Sequence, residues 1–396
     1  MSDSAHPTAT GTPAAAAVWS AGPGWIGRAV VAWAVLGLAL WRAVGDYLAR
    51  DIAVGGFTYR VGDWLINYAG GFVRRGLFGE LLFALSPAGA TLWLLFGVQL
   101  ACYGVVVGYA AGFLHRTRYA WPAVALVCGP AALPFLGWDV EGGWRKEILC
   151  FAAIALVGWA RRCLNPRGRA ALTGLAVAVF GLAIFSWEAS GFAIPVLLFL
   201  LRRPDGRPDL RRWPSLAILV LGVVGTAAGL LARGDAEVVR AVCRVVVADG
   251  LNRELCFGAI GMIDQPLNAA LAAVAVRFPL YWWFLALLPL ALLPVLTSPW
   301  LRRHWRWLVA TAAIVAPLYV IAEDYGRWAH LLVMAPALAI MAGDLRDVAS
   351  RVWNGWTTVA YVTLWGLPHW LFPDDAWPWH SFLASLLETV SAAQGG

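Results

Sequence analysis

Long apolar stretches separated by short polar loops dominate this sequence and limit what it can fold into. A transmembrane helix needs about 20 predominantly apolar residues. Dividing the chain on this basis gives eleven apolar stretches: 24–44, 90–114, 119–138, 147–160, 170–187, 189–201, 214–232, 278–297, 307–321, 328–342 and 352–372. The pattern predicts an all-α fold, a polytopic transmembrane helical bundle of about eleven spans with enlarged loops at 46–88 and 233–277.

The composition supports this interpretation. Of the 396 residues, 61% are hydrophobic and 13% are charged, whereas soluble domains carry about 25% charged residues. Lys146 is the only lysine, so the net charge of +7 comes from arginines, which cluster in the short loops. This clustering is typical of membrane topology signals, and we predict no nucleic-acid partner.

The distribution of arginines also predicts an orientation. Basic loops at 115–118, 161–169, 202–212, 301–306 and 346–351 should be cytoplasmic by the positive-inside rule. Alternation across eleven spans places all five loops inside when the N-terminus is inside, and it leaves the C-terminus outside. It is left open whether 170–201 forms two spans or one, and a single span would break the alternation.

Three regions follow from this topology. Residues 1–23 are rich in Ala, Pro and Thr and predict a disordered cytoplasmic tail. Residues 24–373 form one transmembrane helical domain, and 374–396 form a periplasmic tail. The predicted localisation is the inner membrane of a bacterium, with multiple passes.

The first enlarged outer loop contains an unusual segment at 67–80, which reads N-Y-A-G-G-F-V-R-R-G-L-F-G-E. Its glycines allow close backbone approach, and Arg74 and Arg75 can present forked donors to phosphate oxygens. Asp63 precedes the segment as a candidate general base. Further candidate site residues are Asn67, Tyr68 and Glu80. The alternative is that the two arginines only contact lipid headgroups.

Three other outer segments combine acids and bases. Arg145 and Lys146 lie in the 139–147 loop, which could bind a second phosphate or could neutralise itself. Glu188 lies between two short apolar stretches, and a carboxylate at such a depth is a functional candidate by default, although an ordinary interfacial turn is the alternative. Asp324 precedes Arg327 by three residues, a spacing that permits either a site or an ion pair that locks two helices.

The cysteines do not form a metal-binding pattern. Cys243 and Cys256 share the loop 233–277, and a disulfide between them is plausible if that loop is outside. Such a clasp would suit a folded cap over an outer cavity. The phosphate-binding, hydrolase and zinc motifs are also missing from the sequence, so we predict no metal and no cofactor.

These outer features resemble the bacterial type C glycosyltransferases and the related O-antigen and exopolysaccharide polymerases. The resemblance covers the topology of most of the chain, and its residues are Asp63, Arg74 and Arg75 in the first outer loop, the turn at Glu188, and the run E-D-Y-G-R-W at 323–328. The chain departs from several members of these families because its first outer loop has no D-x-D, which puts a metal-dependent mechanism in doubt.

The resemblance implies glycosyl transfer from a polyprenyl-(pyro)phosphate-linked sugar at the periplasmic face. Arg74, Arg75, Lys146 and Arg327 would hold the phosphate, and Asp324, Glu188 or Asp63 would deprotonate the acceptor. The expected partners are membrane lipid, a polyprenyl-phosphate-linked glycan and other proteins of envelope polysaccharide assembly. The main alternative is a transporter or flippase of an anionic or lipid-linked solute, and a third is an assembly subunit whose outer loops bind a partner.

Overall fold

The computed structural model describes residues 24–370 except 88, 204, 205 and 233, together with 381–384, 386, 387 and 391. The predicted tail 1–23 and most of the predicted tail 374–396 therefore lie outside the described residues. Throughout the described part the regular structure is helical, and no residue there belongs to a strand. This confirms the all-α prediction for the described residues.

The α-helices are numbered in chain order. They are α1 (Trp25–Tyr47), α2 (Tyr59–Trp64), α3 (Leu77–Leu85), α4 (Thr91–Arg116), α5 (Trp121–Cys128), α6 (Phe135–Trp138), α7 (Glu147–Arg162), α8 (Pro166–Ser186), α9 (Ile194–Leu201), α10 (Trp213–Leu231), α11 (Ala236–Ala248), α12 (Leu267–Leu296), α13 (Pro299–Val315), α14 (Leu318–Ile321), α15 (Tyr325–Met341), α16 (Leu345–Val348) and α17 (Gly355–Thr363). A π-turn at Leu48–Ile52 extends α1, and 3₁₀ turns occupy Glu188–Ala193 and Arg253–Cys256.

Several of these helices have the length and apolar character of membrane spans. In the described part of the chain there are five such helices, or six if the two halves of α12 count as one bent span. The five are Trp25–Ile52, Thr91–Arg116, Pro166–Ser186, Trp213–Leu231 and Pro299–Ile321. Their outward faces expose large apolar side chains such as Val30, Val223 and Leu230, which suits contact with lipid.

The centre of the bundle is formed by α7 and α15. Every residue of α15 is buried, and most of α7 is buried as well. These two helices pack against each other, and α7 also contacts α4, α8 and α9. Helix α15 is therefore an interior helix of the bundle, covered by its neighbours on all sides.

Two ends of the bundle can be distinguished by the residues that gather there. We call them the Lys146 end, where α7 and α15 begin, and the Arg161 end, where both helices finish. At the Arg161 end, Arg162 Nη2 donates to the carbonyl of Ala342 at 3.0 Å. Helix α7 has 16 residues, so the two ends are about 24 Å apart along its axis.

The segment around Glu188 consists of two antiparallel pieces. Helix α8 begins beside Cys163, whose carbonyl accepts from Arg169 at 2.9 Å, and ends next to Glu188 at the Lys146 end. The chain then returns through the 3₁₀ turn and α9 to Arg202, which lies in a cavity with Arg161. The two apolar stretches at 170–187 and 189–201 therefore run in opposite directions.

Some apolar stretches are not single helices. The stretch 119–138 is divided into α5 and α6, because Gly129, Pro130 and Pro134 interrupt the backbone hydrogen bonding between them. The stretch 278–297 is part of the longer α12, which bends by 86° between Pro279 and Phe284. Prolines explain these breaks because the ring removes a donor and clashes with the preceding turn.

Candidate functional site

Charged side chains from four separate parts of the chain meet at the Lys146 end. They come from α2 and the loop after it, from the loop before α7, from the turn after α8, and from the start of α15. The members of this cluster are Asp63, Arg74, Arg75, Arg145, Lys146, Glu147, Glu188, Asp324 and Arg327. The cluster therefore includes all seven residues predicted as general base or phosphate ligand.

Asp63 lies at the middle of the cluster and is almost fully buried. Its Oδ1 is 3.8 Å from Lys146 Nζ and 3.8 Å from Arg75 Nη1. These distances are too long for hydrogen bonds, and this oxygen accepts none from the described residues. Lys146 Nζ donates to the carbonyl of Arg75 at 3.1 Å. The two nearby cations balance the charge of the Asp63 carboxylate, but its Oδ1 atom can still accept a hydrogen bond.

Arg75 and Glu188 form a forked ion pair. Arg75 Nε lies 2.9 Å from Glu188 Oε2, and Nη2 lies 2.8 Å from Oε1. Arg74 Nη1 is 4.0 Å from the same carboxylate, and its Nη2 donates to the carbonyl of Met262 at 3.2 Å. Glu188 occupies the fork of Arg75, so this pair holds the first enlarged loop against the turn after α8.

A second forked pair joins the two central helices. Arg327 Nε and Nη2 donate to Glu147 at 3.0 and 2.9 Å, and both side chains are about 95% buried. Arg327 Nη1 also donates to Asp324, which is the residue before α15 begins. Two carboxylates therefore occupy this guanidinium, as in the helix-locking arrangement suggested by the spacing of Asp324 and Arg327.

Arg145 differs from the other guanidinium groups of the cluster. Its plane lies over the Tyr59 ring, 4.7 Å from the centroid, and Nε donates to the carbonyl of Glu141 at 3.0 Å. In the described residues no carboxylate lies within 4.0 Å of Arg145, and its buried Nη1 has no hydrogen-bond partner there. Burial and the positive charge of Arg327 both lower the pKa of Arg145.

Lys146 is also held without a close carboxylate partner. The side chain is fully buried, and burial lowers its pKa to about 8 although Asp63 opposes the change. A lysine with this pKa is mostly charged at pH 7 and is only partly charged from about pH 8 upwards. An anion entering the cluster would restore its full charge.

Two residues of the cluster region adopt a backbone conformation that favours glycine. Arg75 has φ of 70° and Trp144 has φ of 58°. The Trp144 carbonyl accepts from Trp64 Nε1 at 2.7 Å and from Gln99 Nε2 at 2.8 Å, which fixes the loop that carries Arg145 and Lys146. A non-glycine residue with such a positive φ costs about 1–3 kcal/mol in backbone strain, and residues of this kind often occur at functional sites.

The remaining candidates from 67–80 stabilise the turn itself. Asn67 donates to the Leu65 carbonyl at 3.1 Å, and Glu80 accepts from the backbone N–H of Tyr68 at 3.0 Å. A Cβ on Gly79 would lie 2.1 Å from the Ile66 carbonyl oxygen, and one on Gly76 would lie 2.3 Å from the Tyr68 ring. The glycines here therefore serve close packing between α3 and the preceding turn.

A buried ion pair beside the site was not among the features predicted from the sequence. Arg60 donates to Asp51 from Nε at 2.9 Å and from Nη2 at 2.7 Å, and both residues are fully buried. Arg60 also contacts Asp46 at 2.6 Å. Three ionisable residues within 15 positions, Asp46, Asp51 and Arg60, were the available signal. Their pairing depends on how the irregular segment 53–58 places α2 beside the end of the first helix.

A second contact that was not predicted from the sequence joins the segment after α17 to residues beside the cluster. The backbone N–H and the ring Nδ1 of His369 both contact Asp139, the ring at 2.7 Å. Burial opposes ionisation of Asp139, but His369 outweighs it and holds the pKa of this carboxyl at about 2. The His369 carbonyl accepts from Gly326 at 3.1 Å, so the segment after α17 is joined to the start of α15.

The second enlarged loop, which contains α11, covers the same end of the bundle. Cys243 and Cys256 are joined by a disulfide, with their Cα atoms 5.5 Å apart. The Leu255 carbonyl oxygen would lie 3.2 Å from a Cβ on Gly62, and the Val238 Cα would lie 2.7 Å from a Cβ on Gly70. The disulfide-linked segment therefore packs directly against the first enlarged loop.

The donor set suits an anion better than a metal ion. The cluster has five cations and four carboxylates, and few of the carboxylate oxygens are free. Among the described residues, no group of three or more His, Cys, Asp and Glu side chains could hold a metal ion. Comparison with known proteins gives no further assignment: no protein-family model, no curated protein and no solved structure matches this chain.

Proposed function

We propose that this protein is a membrane glycosyltransferase or polysaccharide polymerase that binds a polyprenyl-(pyro)phosphate-linked sugar at its Lys146 end. The observation that carries the proposal is the pair of neighbouring buried cations, Arg145 and Lys146, which have no carboxylate at hydrogen-bond distance in the described residues. A phosphate group would supply the missing acceptors and negative charge. The ligand would also relieve the desolvation of both cations.

The proposal divides the roles within the cluster. Arg145 and Lys146 hold the phosphate and stabilise the charge that develops on the leaving group. Asp63 deprotonates the acceptor hydroxyl, because its Oδ1 has unused acceptor capacity. Arg75 and Arg327 position these groups, since their own forks are occupied by Glu188 and Glu147.

The proposed topology is an eleven-span inner-membrane protein with the Lys146 end outside. The antiparallel arrangement of α8 and α9 supports two spans in the region 170–201. The Cys243–Cys256 disulfide at the Lys146 end supports an outside location, because disulfides persist in oxidising compartments. The cluster of arginines at the other end agrees with a cytoplasmic location.

The decisive experiment is an assay of the full-length protein reconstituted in liposomes. A short polyprenyl-pyrophosphate-linked sugar is supplied, and chain extension and release of the polyprenyl carrier are measured. Arg145→Gln should reduce turnover about 100-fold or more, because removal of one donor to a developing charge has an effect of this size. Arg253→Gln is the matched control, since Arg253 is an exposed arginine on the neighbouring cap and should leave turnover unchanged. Full activity of Arg145→Gln would refute the site.

Transport of an anionic or lipid-linked solute is the second candidate function. The 86° bend of α12 and the division of the stretch 119–138 into α5 and α6 favour it, because discontinuous helices are typical of transporter binding sites. The same liposomes distinguish the two functions. Saturable uptake of the intact donor without any turnover would support transport and contradict glycosyl transfer.

A further inference from the structure

A basic cavity lies at the Arg161 end, on the opposite side of the bundle from the proposed site. It has a volume of about 200 Å³. Arginines from three elements line it, at the end of α7, after α9 and in the first turns of α13. The lining residues that matter here are Arg161, Arg202, Arg303, His304, Phe199 and Trp300.

Positive charge exceeds negative charge in this cavity. Asp347 is its single lining carboxylate in the described part of the chain, and it pairs with Arg303. Arg161 and Arg202 instead donate to the backbone carbonyls of Leu200 and Phe199, at 2.6 and 2.7 Å. No carboxylate of the described residues lies within 4.0 Å of either guanidinium, so the cavity carries about two unbalanced positive charges.

The fold holds these two arginines near each other despite their repulsion. The guanidinium of Arg202 lies 3.6 Å from the centroid of the Phe199 ring. Burial and the neighbouring charge of Arg161 lower the pKa of Arg202 to about 10. An anion between the two guanidinium groups would remove this unfavourable interaction.

The cavity is separate from the Lys146 cluster. Glu147 and Arg161 are 14 positions apart on the same helix, which corresponds to about 21 Å. One phosphate group cannot contact both places at once. A ligand at the Arg161 end therefore needs its own assignment.

We propose that this cavity binds a phosphomonoester through Arg161 and Arg202. A phosphomonoester carries close to two negative charges at neutral pH, which matches the excess positive charge of the cavity. Arginine forks match phosphate oxygens in geometry. The apolar wall formed by Phe199 and Trp300 gives space for the carbon skeleton next to the phosphate. The source of the phosphate is either a lipid headgroup or a free phosphate in solution.

Calorimetric titration of the full-length protein in detergent tests the proposal. The probes are dihexanoyl phosphatidic acid, inorganic phosphate and, as a diester carrying one charge, dihexanoyl phosphatidylglycerol. We expect phosphatidic acid or inorganic phosphate to bind saturably and phosphatidylglycerol to bind more weakly. Arg161→Gln/Arg202→Gln should weaken binding about tenfold or more, since each lost charged hydrogen bond is substantial.

Two variants serve as controls. Arg302→Gln removes an exposed arginine of α13 that does not line the cavity, and binding should change less than about twofold. Arg161→Lys/Arg202→Lys keeps the charge but loses the forks. Its binding should lie between that of the unchanged protein and that of the double Gln variant, which separates loss of the site from loss of folding. Preference for phosphatidic acid would identify a lipid headgroup, and equal binding of inorganic phosphate would identify a free anion. Absence of binding by both, or equal loss in Arg302→Gln, would overturn the proposal.

Discussion

At the scale of single residues, the cost of burying charge explains most of the Lys146 end. An isolated buried charge is strongly unfavourable, so buried ions are paired or change their protonation. Arg327 with Glu147, Arg75 with Glu188 and Arg60 with Asp51 follow this rule. Lys146 follows it through a lowered pKa, because its nearest carboxylate, Asp63, is 3.8 Å away. Arg145 has no carboxylate within 4.0 Å among the described residues. These two cations are therefore the residues to test first.

The lowered pKa of Lys146 leads to a pH prediction. Only the charged lysine attracts a phosphate, and burial places its pKa at about 8. Affinity for a short polyprenyl phosphate should therefore fall as the pH rises through about 8, by about tenfold per pH unit at most. Titration calorimetry between pH 6.5 and 9.5 measures this. Lys146→Arg should bind equally well across the range, and a pH-dependent fall of the same size in that variant would contradict the assignment to Lys146.

The pair Arg327–Glu147 leads to a prediction about stability. Glu147→Ala leaves a buried guanidinium with Asp324 as its remaining carboxylate, so we expect a loss of about 3 kcal/mol or more in unfolding free energy. Glu147→Leu/Arg327→Met removes both charges and should recover most of this loss. Denaturation in mild detergent gives the values.

Glu237→Ala is the control for this pair. Glu237 is an exposed carboxylate on α11, and its removal should change the unfolding free energy by less than about 0.5 kcal/mol. If Glu147→Ala behaved like this control, the central ion pair would not contribute to stability.

At the scale of elements, close backbone contacts decide how the broken helices fit. A Cβ on Gly137 in α6 would lie 2.2 Å from the Ala39 carbonyl oxygen of α1. The short α6 can therefore approach α1 only because this position has no side chain. Small residues at helix contacts are common in membrane bundles for the same reason.

Two glycine substitutions should have opposite effects. Gly137→Ala forces α6 away from α1 and should destabilise the protein by about 1–3 kcal/mol. Gly37→Ala lies within α1, where an added Cβ meets nothing within 4 Å, and it should stabilise the helix by about 0.5–1 kcal/mol. Thermal unfolding of the two variants compares them directly. A neutral Gly137→Ala would show that this contact is loose.

At the scale of the whole molecule, the two ends differ in the kind of charge they carry. The Lys146 end combines acids and bases under a disulfide-linked cap, and the Arg161 end is mainly basic. The positive-inside rule predicts that the basic end is the cytoplasmic one. Both proposed anion sites lie where basic side chains outnumber the carboxylates that pair with them.

The eleven-span topology predicts the result of reporter fusions. Alkaline phosphatase, which is active only outside the cytoplasm, should be active when fused after residue 372. The same reporter fused after residue 164, in the Arg-rich loop that follows α7, should be inactive. A silent reporter at 372 together with an active one at 164 would reverse the orientation, and silence at both positions would exclude the eleven-span count.

The sequence by itself determined the class of the protein and the identity of most charged residues in the cluster. The apolar stretches and the small charged fraction indicate helices in a membrane. No water is available there, and a helix forms its backbone hydrogen bonds within its own segment. The spacing of Asp324 and Arg327 was enough to suggest their pairing. Cys243 and Cys256 were identifiable as a possible pair because they share one loop.

Only the tertiary structure decided which charges are satisfied and which are not. Arg74, Arg75 and Arg327 were equal candidates with Lys146 in the sequence, but Glu188 and Glu147 come from distant positions to occupy two of those forks. The contacts of Asp139 with His369 and of Arg145 with Tyr59 also join residues far apart in the chain. Local patterns predict helices, because helix formation depends on near neighbours, whereas the balance of buried charge depends on which helix ends meet.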